Sequence, residues 1–99
     1  MQQLSVHELK HWMETGRDFL LVDVRELTEH QDYNIGGECI PLGTVMSRKQ
    51  ELDKDKDLVL YCEKGIRSVI AAQRLEGHGF DRLYNMSGGI SAWKAMQKG

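Results

Sequence analysis

Cysteine is scarce in this chain, with two in 99 residues, Cys39 and Cys62. A domain of this length buries a real core without disulfides or metal ions, so neither is needed to hold it together. The two cysteines could pair with each other. No leader is in view, so the reducing cytoplasm is the expected compartment, and both thiols are then free. The four histidines, His7, His11, His30 and His78, show no Cys-x-x-Cys or His-Glu-x-x-His spacing, and no metal site is expected. His7 and His11 stand one helical turn apart and read as part of an exposed polar helix face. Charge of one sign is not in excess either: the formal net charge is −2. That leaves no electrostatic case for nucleic acid or an anionic membrane as partner. No apolar stretch approaches the roughly 20 residues of a membrane span. The N-terminus has neither a basic n-region nor an apolar h-region, so no secretory signal is expected. With no repeat, linker or low-complexity segment, residues 1–99 read as one domain.

What is present is an alternation of helix and strand signals. Ser5 followed by Glu8 forms a capping-box pattern and predicts a helix to about Glu14, closed by Gly16, with Leu9, Trp12 and Met13 facing the core. Phe19 to Val24 is a nearly continuous apolar run, as expected of a strand buried on both faces. A short polar helix is expected over Glu26 to His30, a turn at Asn34 to Gly37, and a short extended segment over Cys39 to Leu42. Val45 to Leu52 reads as a further helix, followed by a solvated charge run, Asp53 to Asp57. Leu58 to Tyr61 is the next strand, and Ser68 to about Glu76 the next helix. Arg82 to Met86 reads as a strand, and Ile90 to about Gln97 as the last helix. Strands separated by helices imply an α/β fold with a mainly parallel sheet, whose ligands gather at the carboxyl ends of strands.

Cys62 stands at such an end. The run Cys62-Glu63-Lys64-Gly65-Ile66-Arg67 turns from the strand into the helix that follows. A thiol under a helix start sits among N–H groups without intrahelical partners, which favour a thiolate there and an anion beside it. Arg67 brings a fixed charge and a planar donor fork, and either binds substrate or ties the loop to the body of the protein. Gly65 is expected to supply a backbone angle that other residues resist. Asp23 and Arg25 read as a structural charge pair near the end of the sheet. Cys39 reads as a small buried hydrophobe, and Trp93 as core beside Ile90 and Met96.

These segments together resemble a single-domain rhodanese, a small sulfurtransferase-type module. The resemblance is carried by Leu21-Val22-Asp23-Val24-Arg25-Glu26, Ile40-Pro41-Leu42, and Val59-Leu60-Tyr61-Cys62-x-x-Gly65-x-Arg67-Ser68. It continues through Ala71-Ala72, Leu75, Gly79-Phe80 and Leu83-Tyr84-x-Met86-x-Gly88-Gly89-Ile90-x-Ala92-Trp93. It implies a rhodanese-like α/β domain, with helices on both faces of the central sheet. The implied enzyme is of the thiosulfate sulfurtransferase type, with Cys62 as nucleophile and no cofactor. Cys62 takes a sulfane sulfur from a small anionic donor, thiosulfate or a persulfide, and holds it as a persulfide. It then passes the sulfur to cyanide, a thiol or a partner protein, with ping-pong kinetics. Glu63, Lys64, Gly65, Ile66 and Arg67 form the substrate and persulfide loop, their backbone N–H groups acting as an oxyanion hole does. An alternative with the same fold is a weakly active or non-enzymatic persulfide carrier.

Related phosphatases carry five residues between cysteine and arginine. The four here imply a tighter cradle that suits one sulfur atom. Two positions depart from the family pattern. Glu63 stands where a basic residue is common, which weakens binding of a dianion, with Lys64 and Arg67 as partial offset. Asn34 to Cys39 replaces a His-Ile-Pro-Gly-Ala type stretch and implies a changed loop.

Overall fold

The computed structural model covers residues 1–99. Its first helix, α1 (Val6–Glu14), begins where the capping pattern predicts: the Glu8 N–H donates to the Ser5 hydroxyl, and the Ser5 N–H to the Glu8 carboxylate. The apolar runs become strands β2 (Leu20–Asp23) and β4 (Leu58–Tyr61). Between them lie a short helix, α2 (Leu27–Asp32), opened by a capping box of Glu26 and Glu29, and a two-residue strand, β3 (Glu38–Cys39). After β4 come α3 (Ile66–Glu76), β5 (Leu83–Met86) and α4 (Gly89–Lys98).

The expected helix from Val45 to Leu52 does not form. Two 3₁₀ turns, Leu42–Thr44 and Lys49–Glu51, take its place. The Thr44 hydroxyl donates to the Pro41 carbonyl and the Ser47 hydroxyl to the Thr44 carbonyl, so side chains capture acceptors that a helix would use. Val45 and Leu52 still reach the core. A strand absent from the sequence reading, β1 (Gln2–Leu4), precedes α1 and lies parallel to β5.

All four strand pairings are parallel, in the order β1-β5-β4-β2-β3. β4 is therefore central and buried along its whole length. Its side chains alternate between two cores. Leu58 and Leu60 pack with Val22, Val24, Ile40, Ala71, Ala72 and Leu75, and Cys62 continues that series just past the strand. Val59 and Tyr61 pack on the other face with Leu4, Leu9, Met86, Ile90 and Trp93. Helices thus cover both faces, α3 on one and α1 with α4 on the other, and the carboxyl end of β4 delivers Cys62 to the seam. No helix is long and apolar enough to cross a membrane.

Candidate active site

The loop after β4 owes its shape to three glycines. Gly65, at φ 90°, caps α3 from the left-handed region, and a Cβ there would come within 3.3 Å of the Gly88 nitrogen. Gly88 and Gly89 are also left-handed, at φ 75° and 60°. A Cβ on Gly89 would lie 2.4 Å from the Cys62 carbonyl oxygen, so only glycine lets α4 approach the loop. The approach is used: the Ile90 N–H donates to the Cys62 carbonyl at 2.9 Å and the Ser91 N–H to the Glu63 carbonyl at 3.0 Å. Orphan donors at the start of α4 thereby hold the backbone that carries the thiol.

Cys62 is 1% exposed. Its Sγ accepts from the Gly65 N–H at 3.1 Å and the Ser68 N–H at 3.4 Å, and lies 3.3 Å from the Ser68 hydroxyl. Burial pushes the thiol up. The Ser68 hydroxyl and the N–H groups of Ser68, Gly65 and Lys64 together outweigh it, so the thiol ends below its ordinary range. The N–H groups of Glu63, Lys64, Ile66 and Arg67 donate to no backbone carbonyl.

The charged side chains are largely engaged with one another. Arg67 donates to both carboxylate oxygens of Glu29, at 2.7 and 2.9 Å, tying the start of α3 to α2. Those bonds hold the Glu29 carboxyl down at about 2. Arg25 grips the buried Asp23 carboxylate through Nε at 3.0 Å and Nη2 at 2.8 Å, and donates to the Tyr33 carbonyl as well. His30 Nδ1 lies 2.9 Å from the same carboxylate. Arg25 also reaches Glu63 at 3.4 Å, and the Ser91 hydroxyl donates to the other Glu63 oxygen at 3.3 Å. Lys64 enters no ion pair. Cys62, Glu63, Lys64, Ile66 and Arg67 border one open hollow of about 390 Å³, with Gly65 buried beneath them.

Asp23 and Arg25 do not line that hollow and touch the loop only through Glu63. The Cys39 thiol donates to the Arg25 carbonyl at 3.4 Å, and burial, with the Asp23 charge, pushes it up. Three polar contributors lay outside the sequence reading of the site. Ser68 appeared only as the residue after Arg67, Asn85 only as a strand residue, and Glu29, 38 positions from Arg67, gave no local signal. The first-turn position of Ser68 over a strand-end cysteine was the one usable clue.

A family model described as the rhodanese-like domain matches residues 5–96. The chain belongs to the rhodanese-like domain family. Among curated relatives, the probable adenylyltransferase/sulfurtransferase MoeZ of Mycobacterium tuberculosis is 36% identical over 98 residues, covering 95% of this chain and 25% of MoeZ. The thiosulfate sulfurtransferase GlpE of Coxiella burnetii is 29% identical, covering 96% of this chain and 91% of GlpE. The crystal structure of a rhodanese-like domain protein from Staphylococcus aureus superimposes with a TM-score of 0.86 at 29% identity, covering 94% of this chain and 91% of that one. The chain spans between 25% and 59% of the first curated relatives it matches. Within this rhodanese-like domain, the loop from Cys62 to Arg67 and the Gly88-Gly89 turn come together as one unit: β4 presents the thiol, the start of α3 donates to it, and the start of α4 holds the carbonyls of Cys62 and Glu63.

Proposed function

We propose that this rhodanese-like domain is a sulfurtransferase that carries a sulfane sulfur as a persulfide on Cys62. The observation that carries the reading is the Cys62 sulfur itself, buried yet receiving two backbone N–H groups at 3.1 and 3.4 Å, with further free N–H groups around the loop. No histidine or carboxylate contacts the sulfur, and a thiolate held by N–H groups needs no separate base.

In the first half-reaction the Cys62 thiolate attacks the outer sulfur of the donor. A new S–S bond forms, the donor's own S–S bond breaks, and sulfite leaves with the electron pair when the donor is thiosulfate. In the second, an acceptor thiolate or cyanide attacks the terminal sulfur, and Cys62 departs as thiolate. The loop N–H groups face the negative sulfur in both steps. Incubation with thiosulfate is expected to add the mass of one sulfur atom to Cys62, and later cyanide to remove it with release of thiocyanate. Absence of the added mass with thiosulfate and with a small persulfide alike would overturn the reading.

The pairing of charges bears on the donor. Arg67 is engaged by Glu29 and Arg25 by Asp23, Glu63 adds a negative charge at the rim, and Lys64 is the one cation there outside an ion pair. Such a mouth attracts a dianion weakly. Glu63→Gln is therefore expected to lower KM for thiosulfate, by up to roughly tenfold for an interaction near 1.4 kcal/mol, with kcat little changed. The gain should shrink at high salt, because the rim is exposed to screening. KM measured against ionic strength checks both points. An unchanged KM would show that the Glu63 charge does not act on the donor, and the case for a persulfide in place of thiosulfate would fall with it.

A further inference from the structure

Behind Cys62 a chain of buried polar groups runs to the edge of the sheet. The Ser68 hydroxyl lies 3.3 Å from Sγ and 2.5 Å from Asn85 Oδ1. Asn85 Nδ2 donates to Gln3 Oε1 at 2.9 Å, and the Ser87 hydroxyl donates to that same oxygen at 2.8 Å. Cys62, Ser68 and Asn85 are 1%, 0% and 3% exposed, so bulk water does not compete for these groups.

A serine hydroxyl has one proton and two acceptor sites. With Asn85 turned so that its amide N–H₂ faces Gln3, its carbonyl oxygen faces Ser68 and can only accept. The single Ser68 proton therefore cannot serve Asn85 and Cys62 together. When it points at Asn85, Ser68 offers the sulfur a lone pair, which suits a thiol S–H. When the sulfur is anionic, the proton is better placed on sulfur, at the cost of the bond to Asn85.

We propose that Asn85, oriented by Gln3 on β1, is a positioning residue that draws the Ser68 proton away from the Cys62 Sγ while that sulfur is neutral, as thiol or as persulfide, and yields it when the sulfur becomes anionic. The inference rests on Cys62 being the nucleophile of the proposed reaction. In the second half-reaction, Cys62 becomes an anionic leaving group as the S–S bond breaks, and rotation of one hydroxyl then supplies it with a donor. No proton leaves the site in that rotation. The charged groups around the loop are Glu63 and Lys64 within it, Arg67 of α3 paired with Glu29 of α2, and Arg25 after β2, which reaches Glu63. None of them hydrogen-bonds to Ser68 or Asn85, so the relay is separable from them.

The test is the pH dependence of iodoacetamide alkylation, read on Cys62 in a Cys39→Ser background. Asn85→Leu removes the competing acceptor at nearly the same volume and is expected to lower the midpoint by about half to one pH unit, since a net hydrogen bond of about 1 kcal/mol is worth somewhat less than one unit. Gln3→Met, at an exposed edge position, releases the orientation of Asn85 and is expected to give a smaller shift of the same sign, which keeps the test open if Asn85→Leu fails to fold. Both shifts should vanish when Ser68→Ala is added. A rise in midpoint on Asn85→Leu, no shift from either variant, or a shift that survives Ser68→Ala would overturn the proposal. Alkylation reads the thiol without any sulfur donor, so failure of the sulfurtransferase reading would show separately, as missing persulfide mass.

Discussion

Cys62→Ser is expected to abolish the proposed sulfur transfer while the protein stays folded. A serine hydroxyl titrates far above the range in which the loop's N–H groups can ionise it, so the same cradle that stabilises a thiolate is left holding a neutral alcohol. The fold should tolerate the change, because the position keeps its two N–H donors and its neighbour Ser68. Cys39→Ser is the matched control. That thiol touches only the Arg25 carbonyl among polar groups, lies outside the hollow, and is pushed away from the thiolate by burial and the Asp23 charge. It should keep most of the activity. Steady-state rates with thiosulfate and cyanide, set beside circular dichroism of each variant, decide the matter, and a folded but inactive Cys39→Ser protein would refute a single-cysteine mechanism.

The largest loss of stability is expected at Arg25. Its side chain is 3% exposed and pairs with Asp23, which is fully buried. Arg25→Met keeps much of the volume but strips three side-chain bonds from the carboxylate, leaving it the backbone N–H of residue 25 and the imidazole of His30. Removing one member of such a pair costs about 3–5 kcal/mol, mostly from the charge left without compensation. The denaturant midpoint should fall accordingly, with the slope of the transition unchanged. The double variant Asp23→Leu with Arg25→Met should recover a good part of the loss, because it removes the stranded charge itself. A single variant within about 1 kcal/mol of the parent would show that His30 and the backbone suffice.

Much of this architecture could be read from local pattern. The capping box at Ser5 and Glu8, the apolar runs of β2 and β4, and the left-handed glycine at position 65 each report a short-range constraint that the chain carries with it. Position and spacing were enough to place Cys62 at a strand end under a helix. The misses share a different physics. β1 has one buried residue, Leu4, and two exposed glutamines, and it becomes a strand because β5 offers it an open edge. Val45 to Leu52 has helical spacing at its start, but Thr44 and Ser47 divert the backbone into tight turns. The grip of Glu29 on Arg67 spans 38 positions, and the bond from Ser68 to Asn85 spans 17. Pairings of that kind follow from topology, and no window of neighbouring residues contains them.

The placement of β1 also sets an order of assembly. Gln2, Gln3 and Leu4 pair with Tyr84, Asn85 and Met86, so the domain's earliest strand in synthesis order is the last to find its neighbour. The contact between Gln3 and Asn85 closes a loop of 82 residues, among the slowest closures available to a chain of this length. Until β5 emerges, a nascent chain already carries Cys62 but lacks Asn85 behind it, and the Gly88-Gly89 turn has yet to clasp its carbonyl. Translation therefore passes through a stage in which the thiol exists without its pocket, and the reactivity of the site matures only with the final fifteen or so residues of the domain.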